Sequence, residues 1–144
     1  MNLINIKSPA DLKGLSISEL TDLTAQARQA LMTKVSEHGG HVGPPMGAAE
    51  MIMALHYVFN SPVDKIVYDV SHQSYVHKMV TGRALAFLDH DHYDDVTGYT
   101  DPAESEHDFF NIGHTSTSIS LASGLATARN LKGDSENIIA IIGD

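Results

Sequence analysis

Three short polar segments have residue types that suit the binding of a phosphorylated ligand. Ser71-His72-Gln73 follows one apolar run, Gly143-Asp144 follows another, and Gly113-His114-Thr115-Ser116-Thr117-Ser118 precedes a helical pattern. Histidine can donate a hydrogen bond to a phosphate or relay a proton. Aspartate is a typical Mg²⁺ ligand where phosphate oxygens complete the coordination shell. The three segments together indicate a site for a phosphorylated ligand and a divalent cation.

The Gly113–Ser118 segment is typical of an anion site at the start of a helix. Backbone N–H groups are free at a helix N-terminus, and the helix dipole favours negative charge there. Gly113 permits close approach of the backbone, and His114, Thr115 and Ser116 add donors. The alternative, an ordinary helix cap with polar neighbours, is the more frequent outcome for such a hexapeptide taken alone.

The remaining candidates also have ordinary structural explanations. Asp144 predicts a Mg²⁺ ligand, but an aspartate at a strand end commonly caps the next turn. His72 predicts a phosphate or proton-transfer contact, and His41 is held in a Gly/Pro-rich segment that would fix its position. For each histidine, a hydrogen-bonded structural role is at least as frequent.

The His90-Asp91-His92 cluster favours a rival hypothesis, a metal-dependent hydrolase, because imidazole and carboxylate are suitable metal ligands. A solvated acidic loop is the commoner reading, since no helical H-E-x-x-H pair fixes the geometry. The phosphate-binding loop G-x-x-x-x-G-K-[ST], the G-x-S-x-G nucleophile and the G-x-G-x-x-G dinucleotide motif are all absent from the sequence.

The elements that must position these residues follow from capping signals and apolar spacing. Ser16 to Glu19 matches a capping box, and apolar residues at helical spacing continue to Gly39-Gly40. Residues 40–47 predict a rigid loop, because they hold two prolines and several glycines. Residues 48–59 predict a second helix, buried nearly all round.

The rest of the chain predicts two short strands and a long connection. Residues 65–70 and 137–142 are apolar on both faces, as in a parallel sheet covered by helices. Residues 84–112 predict a long polar loop, and residues 113–131 a helix. The predicted fold is therefore α/β, and ligands of such sheets bind outside the carboxyl ends of the strands.

Composition excludes several classes of function. The 144 residues fit one domain, and 42% hydrophobic residues suffice for a core. The net charge of −9 argues against a nucleic-acid partner. Cysteine is absent, which excludes disulfides and thiol chemistry and is compatible with a cytoplasmic protein. No signal peptide or membrane-spanning run is recognisable. Because an apolar run reaches nearly to Asp144, we expect a truncated chain.

Several segments together resemble the 1-deoxy-D-xylulose-5-phosphate synthases, which share a thiamine diphosphate (ThDP)-binding domain type with the transketolases. The resemblance covers roughly residues 30–144 and is specific in combination. The segments that carry it are Gly39-Gly40-His41-Val42-Gly43-Pro44, Ala54–Phe59, Asp69–Lys78, Thr81-Gly82-Arg83, Glu104–Asp108 and Gly113–Ser118.

The resemblance implies a fold, a reaction and site roles. His72, Gly113, His114 and Thr115 would bind ThDP, and His41 would lie over the thiazolium and assist proton transfers. Asp144 would bind Mg²⁺, because Gly143-Asp144 matches the start of the ThDP motif that begins Gly-Asp-Gly and ends in Asn. In this family the cofactor removes CO₂ from pyruvate, and the remaining two-carbon unit is transferred to glyceraldehyde 3-phosphate. Members are cytoplasmic homodimers of isoprenoid and thiamine biosynthesis.

Two departures from the family pattern bear on the acceptor. Ser71 stands where members usually have glycine, and residues 84–103 contain no Lys or Arg where members carry basic residues. A synthase-like paralogue with another acceptor or a regulatory role is therefore an alternative. The resemblance also implies that residues 1–144 form only the N-terminal part of the diphosphate-binding domain. On their own we expect them to be inactive, with weak ThDP binding or none.

Overall fold

A computed structural model describes residues 1–143, in which helices surround a small two-stranded sheet. The α-helices and strands are, in chain order, α1 (Ile17–His38), α2 (Gly43–Gly47), α3 (Ala49–Val58), β1 (Lys65–Tyr68), α4 (Tyr75–Lys78), α5 (Leu85–Leu88), α6 (Ser118–Lys132) and β2 (Ile138–Ile141). Short 3₁₀ helices lie at Leu3–Asn5, Pro9–Leu12 and His90–Asp95, and a π-helical turn, Met79–Arg83, follows α4.

The first long helix begins and ends at the residues that the sequence predicts. The Ser16 hydroxyl accepts the Glu19 backbone N–H at 3.3 Å, and the Glu19 carboxylate accepts the Ser16 N–H at 2.8 Å, which completes the capping box. Gly39 ends α1 with φ of 86°, a conformation that glycine adopts at little cost. Leu23, among others, is fully buried on the inner face of α1.

The parallel sheet is confirmed. β1 and β2 pair in parallel with Lys65 opposite Ile138 and Tyr68 opposite Ile141. α6 belongs to the crossover connection that returns the chain to the end of the sheet where β1 begins, as parallel pairing requires. The carboxyl ends of both strands therefore lie side by side, which brings residues 69–73 close to residues 142–143.

Three local predictions are wrong. Residues 43–47 form the short helix α2 rather than a loop, because Pro44 near the helix start has the φ that a first turn needs. The second helix, α3, is exposed on one side, where Met51 is 46% accessible. The 84–112 segment holds α5 and a 3₁₀ helix, because Phe87 anchors it in the core.

The hydrophobic core lies between α1, α3, the π-helical turn and one face of β1. Leu3 and Leu12 from the N-terminal 3₁₀ helices, Ile52 from α3 and Met79 are completely buried in it. α6 lies mostly exposed, with only Ser118 fully buried. Within residues 1–143, no helix has the length and apolar character needed to cross a membrane. The core therefore holds the amino end of the chain against α1 and α3 and leaves the strand ends open.

Candidate functional site

The turn after β1 is a left-handed segment made by residues other than glycine. Val70 and Ser71 have φ of 59° and 69°, which costs energy for a β-branched residue in particular. The Ser71 hydroxyl donates to the Ile112 carbonyl oxygen at 2.6 Å and accepts the Thr100 N–H at 2.9 Å. These bonds tie the 97–112 segment to the end of β1 and offset the strain of the turn.

His72 leaves this turn between two cavities at the carboxyl ends of the strands. One cavity, of about 390 Å³, is lined by Pro44 and Met51 among others, and the second, of about 440 Å³, by Asp69 and Thr115 among others. His72, Ile142 and Gly143 line both. The sequence predicted a ligand site at this edge, and the concave surface lies there.

Three buried side-chain atoms of residues that line these cavities have no hydrogen-bond partner among the described residues. They are Nδ1 of His72, Oε1 of Gln73 and the Ser118 hydroxyl oxygen. Besides backbone hydrogen bonds from Ser116 and Ser118, the Ser118 side chain also helps to lower the pKa of Asp69 beside it. A buried polar group without a partner costs free energy that a bound ligand can recover. His72 and Ser118 line the larger cavity, so polar atoms in its wall remain available to a polar ligand.

The start of α6 is capped by Asp69, which changes the predicted anion site. Its carboxylate accepts the backbone N–H groups of Ser116, Thr117 and Ser118 at 3.0–3.1 Å. Hydrogen bonds from the backbone of Ser116 and Ser118 lower the pKa of Asp69, although burial acts to raise it. The expectation that these N–H groups are free for an external anion is therefore wrong, because a protein carboxylate already occupies them.

The predicted residues of the Gly113–Ser118 segment lie at different distances from the cavities. Thr115 lines the larger cavity together with His72. Gly113 and His114 are exposed, and Nδ1 of His114 lies 3.0 Å from the Thr115 carbonyl oxygen. A Cβ atom added at Gly113 would meet only the Tyr99 ring, at 3.8 Å, so packing within the described residues does not demand glycine there.

His41 lies beside His72 and faces two tyrosines. Its ring centroid is 5.4 Å from that of His72, 5.2 Å from Tyr99 and 6.0 Å from Tyr75. Burial lowers the pKa of His41, and His72 adds to this effect, while a hydrogen bond with the Gly98 backbone acts to raise it. A neutral imidazole at pH 7 can accept a proton, which suits a proton-transfer group.

The predicted metal ligands are not brought together in the described residues. Asp144 lies outside residues 1–143. His92 contacts Asp95 at 2.7 Å, while His90 lies 3.7 Å from Asp91. No cluster of three or more histidine, aspartate or glutamate side chains able to hold a metal occurs in residues 1–143. The hydrolase hypothesis therefore has no support from this part of the chain.

A buried charged network lies behind the site. The Asp108 carboxylate accepts two hydrogen bonds from Arg83 at 2.8 Å and one from Nε2 of His77 at 2.7 Å. Nδ1 of His77 lies 2.8 Å from Nε2 of His56. The Glu104 carboxylate forms ion pairs with both Lys78 and Arg83. The network joins α3 and α4 to the 97–112 segment, which also contacts Ser71.

The protonation states of this network follow from burial and hydrogen bonding. Burial lowers the pKa of His56 well below its ordinary value and lowers that of His77 as well. Burial alone would raise the pKa of Asp108, but hydrogen bonds from His77 and Arg83 outweigh it and lower the pKa. With both imidazoles neutral, His77 donates to Asp108 and His56 donates to His77. Nδ1 of His56 then remains as the acceptor without a described partner.

Sequence reasoning missed Asp69 and Tyr75. Asp69 follows the apolar strand directly, and that position was the available signal for a residue at the ligand edge. Tyr75 contacts the backbone and the ring of His41, but its position in the Asp69–Lys78 segment did not indicate this contact. Both contacts join residues more than 30 positions apart, so local patterns could not predict them.

Comparisons with known proteins match almost the whole chain to one family. The sequence profile described as 1-deoxy-D-xylulose-5-phosphate synthase matches residues 3–144. A protein of that name from Caldanaerobacter subterraneus subsp. tengcongensis is 53% identical over 142 residues, and one from Shouchella clausii is 51% identical over 144. One from Chlorobaculum tepidum is 49% identical over 142 residues.

These alignments cover 99–100% of this chain but only 22–23% of each relative's length. The family profile matches nearly every residue, and this match establishes the family of the chain. The chain therefore belongs to the 1-deoxy-D-xylulose-5-phosphate synthase family.

Proposed function

We propose that the full-length protein is a ThDP- and Mg²⁺-dependent transferase of the transketolase type. Its reaction would join pyruvate and glyceraldehyde 3-phosphate to give 1-deoxy-D-xylulose 5-phosphate and CO₂, as the names of its relatives suggest. Residues 1–144 would form the N-terminal part of its diphosphate-binding domain. The observation that carries this proposal is that His72 lines both cavities at the carboxyl ends of the parallel strands.

The residues around the larger cavity fit a diphosphate ester. Nδ1 of His72, which has no partner among the described residues, would gain a hydrogen bond to a phosphate oxygen, and the Ser118 hydroxyl would add another. Thr115 would add a hydroxyl donor from the wall that it shares with His72. Because Asp69 already occupies the N–H groups of Ser116, Thr117 and Ser118, side-chain donors would carry most of this binding.

The other predicted binding residues remain part of the proposal. Gly113 and His114 lie in the exposed segment before α6, and the histidine ring would add a donor for the diphosphate. Asp144 would hold Mg²⁺, since a carboxylate beside phosphate groups is a typical ligand environment for this ion. Mg²⁺ would also reduce the repulsion between the Asp69 carboxylate and a diphosphate in the same cavity.

His41 would serve as a proton-transfer group rather than as a ligand of the diphosphate. Its neutral ring beside His72 is able to take up and return a proton near pH 7. Bound ThDP supplies the nucleophilic carbon and the electron sink that decarboxylation of a 2-oxo acid needs. The apolar residues Met51, Ile141 and Ile142 would exclude water from that side of the site.

Residues 1–144 alone would lack synthase activity, because they account for less than a quarter of the length of the relatives. The full-length protein would act as a cytoplasmic homodimer on small-molecule substrates. The experiment is formation of deoxyxylulose phosphate from pyruvate and glyceraldehyde 3-phosphate by the full-length protein, with and without added ThDP and Mg²⁺. Activity that requires both additions supports the proposal, while product formation by the 144-residue chain alone would contradict it.

A second candidate function is a related ThDP reaction with a different acceptor. It is favoured by the 84–103 segment, which holds no Lys or Arg. Its acidic part, the 3₁₀ helix His90–Asp95, packs against the end of α1, where His38 contacts Asp94 and Tyr93 donates to Glu37. Such a surface would not attract an acceptor phosphate. Comparing glyceraldehyde with glyceraldehyde 3-phosphate as acceptors separates the two candidates, since only the synthase prefers the phosphorylated one.

A further inference from the structure

The Tyr75 hydroxyl contacts His41 at two atoms. It lies 3.2 Å from the backbone nitrogen of His41 and 3.2 Å from Nδ1 of its ring. The backbone N–H can only donate, so the Tyr75 oxygen accepts it. One hydroxyl therefore links the main chain of His41 to its side chain. Nδ1 is engaged whichever ring nitrogen carries the proton. Gly98, whose backbone also hydrogen-bonds to His41, lies nearest to Cε1 and Nδ1 of the ring, so Nε2 is the nitrogen left for chemistry.

Tyr75 is itself held firmly. It is the first residue of α4 and only 5% exposed, and its ring packs against Phe87 at a centroid distance of 5.4 Å. Phe87 is 1% exposed in the core. A buried aromatic ring has few rotatable bonds to order, so its hydroxyl is a rigid reference point. The position of His41 is thereby coupled to the core through one side chain.

The Tyr75 hydroxyl fits in its position because two neighbouring residues are glycines without side chains. Gly40 has φ of 129°, and a Cβ atom added there would lie 2.9 Å from the Tyr75 oxygen. A Cβ atom at Gly98 would lie 3.4 Å from the same oxygen and 3.3 Å from Cε1 of His41. A side chain at Gly40 would displace the hydroxyl, and one at Gly98 would press on both partners. The backbone on both sides is thus compatible with the contact.

We propose that Tyr75 is a positioning residue that fixes the ring of His41 through Nδ1 and leaves Nε2 for proton transfer. The inference rests on the proposed function only in assigning proton transfer to His41. Tyr75 itself touches no reacting atom. Its effect on the reaction passes through His41, because a proton-transfer group is effective only when it is held within hydrogen-bonding reach of the reacting atom.

The first test does not depend on activity. Diethyl pyrocarbonate is applied to the full-length wild type and to Tyr75→Phe, and carbethoxylation of each histidine is followed by peptide mass spectrometry. Nε2 of His41 is open to the reagent in both proteins, but the Tyr75 hydroxyl covers Nδ1 in the wild type. The rate at which His41 takes up a second carbethoxyl group, which needs Nδ1, should therefore rise severalfold in Tyr75→Phe, while the rates at exposed His90 stay constant. Tyr57→Phe, on α3, is the matched control and should change none of these rates. An unchanged rate of second modification at His41 in Tyr75→Phe would overturn the proposal.

The second test is a double-mutant cycle on synthase turnover. Tyr75→Phe should lower kcat about 10-fold with KM nearly unchanged, since misorientation removes part of the contribution of a general acid–base group. In a His41→Ala background the same change should have no further effect. An equal loss in both backgrounds would show that Tyr75 acts by another route and would refute the proposal. An inactive wild type would instead contradict the proposed function, and the modification rates alone would then decide the role of Tyr75.

Discussion

Replacement of Asp108 by asparagine should destabilise the fold strongly, because this buried carboxylate is the acceptor for four hydrogen bonds. Oδ1 accepts from Nε2 of His77 and from Nη2 of Arg83 at 2.7 and 2.8 Å. Oδ2 accepts from Nη1 of Arg83 and from the Asp101 backbone N–H at 2.8 and 2.9 Å. The side chain of Asp108 has no exposed surface, so water does not compete for these bonds.

The size of the destabilisation follows from the hydrogen-bond donors for which asparagine offers no acceptor. Its amide nitrogen, placed at the Oδ2 position, meets the donors of Arg83 and Asp101, and each loses an acceptor. A hydrogen bond to a charged group contributes about 1.5–3 kcal/mol, and removal of one partner of a buried ion pair costs about 3–5 kcal/mol. Glu104, 2.9 Å from Arg83, retains part of the guanidinium's stabilisation. We expect a loss of about 3–4 kcal/mol in the free energy of unfolding.

The assay is urea unfolding of the 144-residue chain at pH 7, followed by circular dichroism. Asp91→Asn is the matched control, because the Asp91 side chain is 92% exposed and lies 3.7 Å from His90. That control should change the free energy of unfolding by less than about 0.5 kcal/mol. A loss below about 1 kcal/mol in Asp108→Asn would refute the reasoning, since it would mean that the carboxylate is not the centre of a desolvated network.

Three further predictions concern the strand end and the buried histidines. Ser71→Gly should relieve about 1 kcal/mol of left-handed strain but leave the Ile112 carbonyl and the Thr100 N–H unsatisfied, at about 1–3 kcal/mol each. The net result should be a lower free energy of unfolding, and a higher urea midpoint would contradict this. Asp69→Ala should cost about 1–2 kcal/mol and increase amide exchange in the first turn of α6, because it removes the cap of that helix; unchanged exchange there would argue against the capping role. The free energy of unfolding should fall as the pH is lowered from 7 to 5, with a slope of up to about 2.7 kcal/mol per pH unit. In that range the unfolded chain binds protons at His56 and His77, whose pKa values burial lowers in the fold. Stability that is flat or rises over the same range would show that these histidines are not buried as neutral groups.

Much of the fold could be predicted because its signals are local. The capping box at Ser16 and the glycine at Gly39 define α1 from adjacent residues alone. The two strands are short runs that are apolar on both faces, which indicated a parallel sheet covered by helices, and they do pair in parallel. His72 was placed at the ligand edge because it directly follows a strand, and that position holds in the structure.

The parts that could not be predicted depend on contacts between distant residues. Asp69 caps α6 across 47 to 49 positions, and no local pattern marks that partnership. The helix α5 lies in a segment whose composition is polar, and only the burial of Phe87 explains why it folds there. His77 and Asp108 are 31 positions apart, so their pairing required the tertiary structure.

We propose above all that the strand ends around His72 bind the diphosphate of ThDP with Mg²⁺. Calorimetric titration of ThDP with Mg²⁺ into the full-length protein tests it most directly, beside His72→Ala, Asp144→Ala and the exposed control His90→Ala. We predict Mg²⁺-dependent binding that the first two changes weaken by about 1–3 kcal/mol or more, the scale of a lost charged hydrogen bond, and that the control leaves intact. Absence of binding by the wild type, or equal affinity in His72→Ala, would contradict the claim.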